Sequence, residues 1–258
     1  MDPPPPPPPP AATATGSKEA SRKPRSDRKK VPVIISVHGE ARNLADVSVA
    51  QLDGWRAECL AALPRTKKYR VLYADPPWAY QDNGNVEGKP GYPTVKLETL
   101  AKLPVADIAA STSVLFLWAT NPLLPQALKL IEAWGFEYKT VFKVWLKRGA
   151  NGQPLCGCGW WSRPSTEMVL VATRGGGYMK WKRNFNEPQE FVSARDKKHS
   201  QKPDGVREAI RNFLDVPSRI ELFARSRAPG FDAWGLEIPG FFAADPSATK
   251  EGGSPVNL

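Results

Sequence analysis

Apolar runs of strand length alternate along this chain with stretches whose apolar residues recur every three or four positions. That alternation predicts an α/β fold, a mostly parallel sheet with helices on both faces. Strands are expected at 31–37, 69–74, 114–119, 140–146, 167–172 and 219–224. Between the first two, Val49, Leu52, Trp55 and Cys59 keep helical spacing. Pro122 opens a second helix running to about Trp134, because a missing N–H is harmless in the first turn. Pro203 opens a third, on which Val206, Ile210, Phe213 and Leu214 form one apolar face. Strand order cannot be read from periodicity.

The pattern stops at both ends. Residues 1–30 hold eight consecutive prolines, Pro3 to Pro10, and then seven lysines and arginines with nothing to bury, so a polyproline II segment and a disordered basic tail are expected. The basic part suits phosphate, a nuclear address or a plain solvated spacer. Residues 31–242 read as one catalytic domain and 243–258 as a flexible tail.

A formal net charge of +10 and a pI near 9.6 favour a polyanionic partner such as DNA or RNA. Cys59, Cys156 and Cys158 are too few and too uneven for a disulfide framework, so an intracellular location is expected, cytoplasm or, in a eukaryote, nucleus. His38 and His199 add too little to Cys156 and Cys158 for a metal site. No apolar run approaches the length of a membrane helix. No Gly-x-Gly-x-x-Gly follows a strand, which weakens a nicotinamide or flavin reading.

The candidate chemistry begins where the run 69–74 ends, in Asp75-Pro76-Pro77-Trp78. Open α/β sheets keep their ligands at the carboxyl ends of strands. Asp75 is a carboxylate acceptor there; two prolines without N–H donors leave a stiff loop whose carbonyls can face a ligand; Trp78 offers a face on which a base could stack. The same four residues also suit an ordinary turn followed by a core tryptophan, and their surroundings have to decide.

Those surroundings are Gly91-Tyr92-Pro93-Thr94, Leu115 to Thr120, Trp134-Gly135-Phe136, Lys143-Val144-Trp145, Glu167 to Val171, His199 to Asp204 and Arg219 to Arg225. Together with the tetrapeptide, and in this order, the blocks resemble the DPPW adenine N6-methyltransferases, a family that includes the catalytic subunit of the mRNA N6-adenosine methyltransferase and bacterial and phage DNA adenine methyltransferases. The resemblance spans about 69–240. It implies a Rossmann-like S-adenosylmethionine-dependent methyltransferase fold, S-adenosylmethionine as cofactor and adenine in DNA or RNA as substrate. A catalytically silent nucleic-acid-binding subunit beside a homologous methyltransferase is the other reading it allows.

Residue by residue, the resemblance implies a catalytic set of Asp75, Pro76, Pro77 and Trp78, with the Pro76 carbonyl on the target amine and Trp78 lining the base pocket. It implies cofactor contacts from Asp75, Lys202, Glu221, Arg225 and Glu237. Lys202 also precedes an expected helix start, where cation and helix end together suit a carboxylate. Tyr92 corresponds to an active-site loop tyrosine, in a stretch whose glycines (84–91) suit a lid, and Glu167 to an acid near the base. Leu236 stands where the family usually has Asn, which removes one polar contact, and Arg227 stands where His or Asn is usual. Residues 174–198 interleave cations with aromatics, and Lys180, Trp181, Lys182 and Arg183 are expected to hold the nucleic acid. A solvated charged loop with its aromatics turned into the core is the alternative.

Overall fold

The computed structural model describes residues 63–79, 94–149, 151–157, 159, 161–183, 186–193, 201–235 and 238 in full, and 34–37, 40–43 and 194 by their backbone. All of these lie in the unit Pro32–Leu258. Strands β1 (Ile34–Val37) and β2 (Glu40–Asn43) pair with each other, antiparallel, in a two-stranded ribbon. The first expected strand therefore does not join the large sheet. The physical reason is local: Ile34 pairs with Asn43 and Val37 with Glu40, leaving only His38-Gly39 between the strands, and a two-residue loop ending in glycine is a hairpin signal. The helix expected around Val49 to Cys59 lies outside the described residues.

The large sheet contains β3 (Tyr69–Ala74), β4 (Ala109–Ala119), β5 (Glu137–Arg148), β6 (Thr166–Arg174), β7 (Glu190–Ala194), β8 (Arg219–Leu222) and β9 (Asp232–Trp234), in spatial order β7-β5-β6-β4-β3-β8-β9. Only the pairings of β6 with β4 and with β5 are antiparallel. β3 lies centrally between β4 and β8, so the chain leaves it towards one side of the sheet and later returns on the other. That makes the carboxyl end of β3 the switch point at which such sheets bind ligands.

Four helices are described: α1 (Leu97–Ala101), α2 (Val105–Ile108), α3 (Leu124–Ala133) and α4 (Asp204–Phe213). A 3-10 turn at Asn121–Leu123, with Pro122 in its first turn, leads into α3, and Pro203 caps α4 rather than standing inside it. α3 buries Ala127, Leu130 and Ile131 with Leu72, Ala74, Leu115 and Leu117. α4 buries Val206 and Ile210 with Val71, Tyr73, Val114 and Phe116. Alternate residues of β3 and β4 thus face opposite helices, which is why these strands read as unbroken apolar runs. Each such side chain contributes about 1.5–3 kcal/mol relative to exposure.

Trp134-Gly135-Phe136 is the end of α3. Gly135 takes φ 79°, a left-handed conformation that glycine adopts without strain, and Phe136 N–H closes back on the Ile131 carbonyl at 3.0 Å. β8 stops two residues short of the expected 224 because Phe223 has φ 61°, which takes the chain out of the ladder. β7 and β9 were not expected; both are short and lack the apolar run that marks the inner strands.

Candidate active site

Asp75 follows β3 at the switch point, its N–H 3.4 Å from the Leu222 carbonyl of β8. The carbonyls of the two prolines after it, expected to face a ligand, both accept backbone hydrogen bonds. Pro76 accepts the Trp78 N–H at 2.9 Å, Pro77 accepts the Val95 N–H at 2.7 Å, and Ala79 N–H bonds the Val95 carbonyl at 3.2 Å. The loop is thereby tied to residues 94–96, just after the expected lid. Tyr92 and the glycines before it lie outside the described residues.

Trp78 needs a correction. It is buried in the core, and its ring N–H donates to the Trp118 carbonyl at 3.2 Å. An indole so enclosed anchors the loop; it does not present an open face for a base. The alternative of a core tryptophan holds for Trp78, while Asp75, three residues earlier, is only partly enclosed.

Around Asp75 the charges alternate. Lys202 Nζ donates to Asp75 Oδ2 at 2.9 Å and lies 3.3 Å from Glu167 Oε2; the second oxygen of Glu167 accepts from Lys147 Nζ. The side chains of Lys202, Glu167 and Asp75 are 11%, 11% and 23% exposed. Three strand ends and a helix start meet here, since Lys147 comes from β5, Glu167 from β6, Asp75 follows β3 and Lys202 precedes α4. Lys202 also lies 5.3 Å from the centre of the Trp118 ring. Lys147 is the member that the sequence did not disclose.

Burial pushes the Asp75 carboxyl up from its ordinary range; Lys202 pulls it down and Glu167 adds to the rise. Burial would raise Glu167 as well, but Lys202 and then Lys147 outweigh it and hold that carboxyl below its ordinary range. The pair therefore diverges, with Glu167 fixed as an anion and Asp75 readier to take a proton. Glu167 Oε2 is buried and makes no hydrogen bond, because its approach to Lys202 lacks the geometry of one. It is enclosed and held electrostatically by the Lys202 ammonium alone.

A second buried pair lies one layer down. Arg207 of α4 grips Glu221 of β8 with two bonds, Nε to Oε2 at 2.7 Å and Nη2 to Oε1 at 3.0 Å. Both oxygens of Glu221 are thus engaged, and in place of the expected cofactor contact it anchors the first turns of α4, and with them Lys202. Burial raises the Glu221 carboxyl against the opposing pull of Arg207. Tyr73, opposite Glu221 on β3, accepts the Trp118 ring N–H at 2.5 Å, and its hydroxyl is pushed well up by burial. Arg225 acts on Asp75 from the end of β8, lowering its pKa. The left-handed Phe223 lies between that arginine and β8, and such strain, about 1–3 kcal/mol, concentrates at functional edges. Glu237 lies outside the described residues.

The first part of the expected nucleic-acid segment is at the other end of the sheet, whereas β7, within its later part, runs beside the end of β5 to Ala194 opposite Arg148. β6 runs antiparallel to β4, with Met168 opposite Ala119 and Arg174 opposite Ser113, so residues 175–183 emerge at the amino edge. Trp181 is buried against the guanidinium of Arg70, 5.4 Å from its ring, and Lys182 lies 5.2 Å from the ring of Phe213. Arg183 pairs with Asp215 and Lys180 is exposed. Here the aromatic turned into the core, so Lys180, Trp181, Lys182 and Arg183 do not border Asp75. Arg195, Lys197 and Lys198 lie outside the described residues.

Among the described residues no group of three or more His, Cys, Asp or Glu gathers as a metal site, and no helix is long and apolar enough to cross a membrane. Residues 69–237 match MT-A70. The chain is 36% identical over 201 residues to a Type II methyltransferase, M.MunI, of Mycoplasma sp, with 70% of this chain and 82% of that protein aligned. It is 30% identical over 181 residues to the N6-methyladenosine RNA methyltransferase MTA1 of Cryphonectria parasitica and 24% identical over 204 residues to the N(6)-adenine-specific methyltransferase METTL4 of Mus musculus. The alignments cover 52% and 41% of those two proteins, so about half or less of each is matched.

Proposed function

This chain belongs to the MT-A70 family, and from that membership we propose that it is an S-adenosylmethionine-dependent methyltransferase acting on N6 of adenine in DNA or RNA. The observation that supports this most is the Asp75–Lys202 pair at the switch point of the sheet, 2.9 Å apart and backed by Glu167. A carboxylate beside an ammonium suits the amino-acid end of the cofactor, whose amine would turn to Asp75 and whose carboxylate would turn to Lys202. Arg225 adds positive charge on the same edge. The donor set therefore fits the group. When bound, S-adenosylmethionine supplies a methyl group activated by its sulfonium.

The residues have to supply position. An adenine amine is a weak nucleophile because its lone pair is shared with the ring, and acceptors on its N–H bonds keep it in line for transfer. Asp75 and the remaining lone pair of the Pro76 carbonyl are the acceptors at this edge, with Glu167 holding Lys202 from behind. Aligned reactants gain about 7–11 kcal/mol from proximity, so no strong base is needed. The amine proton leaves to solvent once the methyl has arrived, past a carboxyl that burial has already made more basic.

The test is transfer of labelled methyl from S-adenosylmethionine to matched single-stranded DNA, duplex DNA and RNA oligonucleotides with and without adenine. Adenine-dependent label supports the reading and ranks the substrates. A silent subunit, the alternative to which Leu236 lends weight, would bind nucleic acid and transfer nothing.

A further inference from the structure

The connection from β5 to β6, residues 149–165, begins and ends at the edge that holds Asp75, because Trp145 pairs with Glu167 and Leu146 with Thr166. Backbone hydrogen bonds pin it at several of its described residues. Leu155 N–H bonds the Lys147 carbonyl at 3.0 Å, Lys147 N–H the Ser165 carbonyl at 2.9 Å, and Gly157 N–H the Pro164 carbonyl at 2.7 Å. Beyond these bonds the chain turns so tightly that a Cβ on Gly159 would fall 2.0 Å from the Ser162 carbonyl oxygen, which only glycine permits. Trp161 sits in that turn.

Every other tryptophan among the described residues is buried; Trp161 is 101% exposed. Leaving an indole in water forgoes one of the largest hydrophobic contributions any side chain can make. A pinned, glycine-dependent turn that nevertheless holds it outward points to an external partner. Arg163, two residues on, is exposed as well, and Arg148 stands at the base of the turn. A flat aromatic followed by a cation, on a connection that leaves and rejoins the edge where Asp75 works, matches a strand of nucleic acid: bases supply a face to stack on and phosphates supply the charge.

We propose that Trp161 and Arg163 form the surface that receives the nucleic-acid strand beside the target adenine, the indole stacking on an unpaired neighbouring base and the guanidinium meeting its phosphate. This rests on the function proposed above and assigns it the substrate surface that residues 180–183, at the opposite edge, do not provide.

The experiment compares the full chain with Trp161→Ala, Trp161→Phe and Arg163→Ala. It reads anisotropy of a fluorescein-labelled single-stranded oligonucleotide and, separately, methyl-transfer kinetics. The expected result for Trp161→Ala is a roughly tenfold loss of oligonucleotide affinity and a matching rise in KM. kcat and S-adenosylmethionine affinity should stay near those of the parent, and Trp161→Phe should recover most of the loss. For Arg163→Ala the salt dependence of binding should fall by about one counterion. Unchanged anisotropy and KM in Trp161→Ala would overturn the proposal. So would a change in sedimentation from oligomer to monomer with oligonucleotide affinity retained, which would make the tryptophan a protein contact. If the parent transfers no methyl, the functional reading fails, while the anisotropy series still decides the role of Trp161.

Discussion

The two edges of the sheet carry similar residues to different effect. At the amino edge Arg183 meets Asp215 and Lys67 meets Asp232, in pairs whose side chains are about half exposed or more. At the carboxyl edge Lys147, Glu167, Lys202 and Asp75 alternate in sign and are largely enclosed. Exposed pairs contribute about 0–1 kcal/mol and constrain little. Enclosed ones must be satisfied by one another, since a buried charge stripped of its partner is strongly destabilising. Opposite charge is common to both edges; enclosure and convergence from four separate elements are what make one of them a site.

The largest expected effect comes from removing the cation at the centre of the cluster. Lys202→Met leaves Asp75 and Glu167 facing each other, and should lower stability by about 3 kcal/mol in denaturant titrations and methyl transfer by at least roughly a hundredfold. Lys147→Met takes away one support of Glu167 and leaves the other. Its expected cost is about 1.5–3 kcal/mol, the range for hydrogen bonds to charged groups, with partial recovery in Lys147→Arg.

The cluster also gives the edge a pH signature. The Glu167 carboxyl is held below its ordinary value of 4.5, so its stabilising contribution is complete above that value and is lost as pH falls through the lower, folded one. Asp75, raised from 3.8, has the opposite sign: the folded protein takes up this proton first, which favours folding as pH falls. Unfolding of the parent and of Glu167→Gln, followed from about pH 6 to about pH 3, should show a constant advantage of the parent that shrinks below 4.5. An advantage that grew on acidification would contradict the depressed carboxyl.

The smallest effect belongs to the amino edge. Arg183→Ala should change stability by no more than about 0.5 kcal/mol. Lys180, Lys182 and Arg183 replaced together should leave kcat for methyl transfer intact, with any loss of nucleic-acid affinity restricted to its salt-dependent part. A collapse of kcat in that triple variant would mean that the far edge takes part in catalysis.

How far the sequence disclosed these edges follows from what periodicity can carry. β3 was legible to the residue because an apolar run ends at two prolines, and Lys202 was legible because Pro203 announces a helix. Lys147 was not. It follows Val144-Trp145-Leu146 as an ordinary strand-end lysine, and only the pairing of β5 with β6 brings it to Glu167. Trp78 and Trp181 were read outward and point inward, because an aromatic between polar neighbours does not say which face of its backbone is covered. The run 31–37 reads as a strand of the large sheet because a strand pattern does not name its partner; the signal for the ribbon is His38-Gly39, a dipeptide suited to a hairpin. Glu221 was placed with the cofactor from its block, but Arg207, fourteen residues earlier and on the facing helix, engages it.

The central claim, that the enclosed edge around Asp75 performs the transfer, is tested most directly by single-turnover transfer of labelled methyl to an adenine-containing oligonucleotide, with Asp75→Asn beside the parent. The side chains are of equal size, so the fold should persist while the carboxylate is lost. The account predicts adenine-dependent label with the parent and a drop of roughly a hundredfold or more with Asp75→Asn, at a thermal stability lowered by no more than several degrees, because Lys202 keeps Glu167 as its counter-charge. Transfer at the parental rate by Asp75→Asn would contradict it.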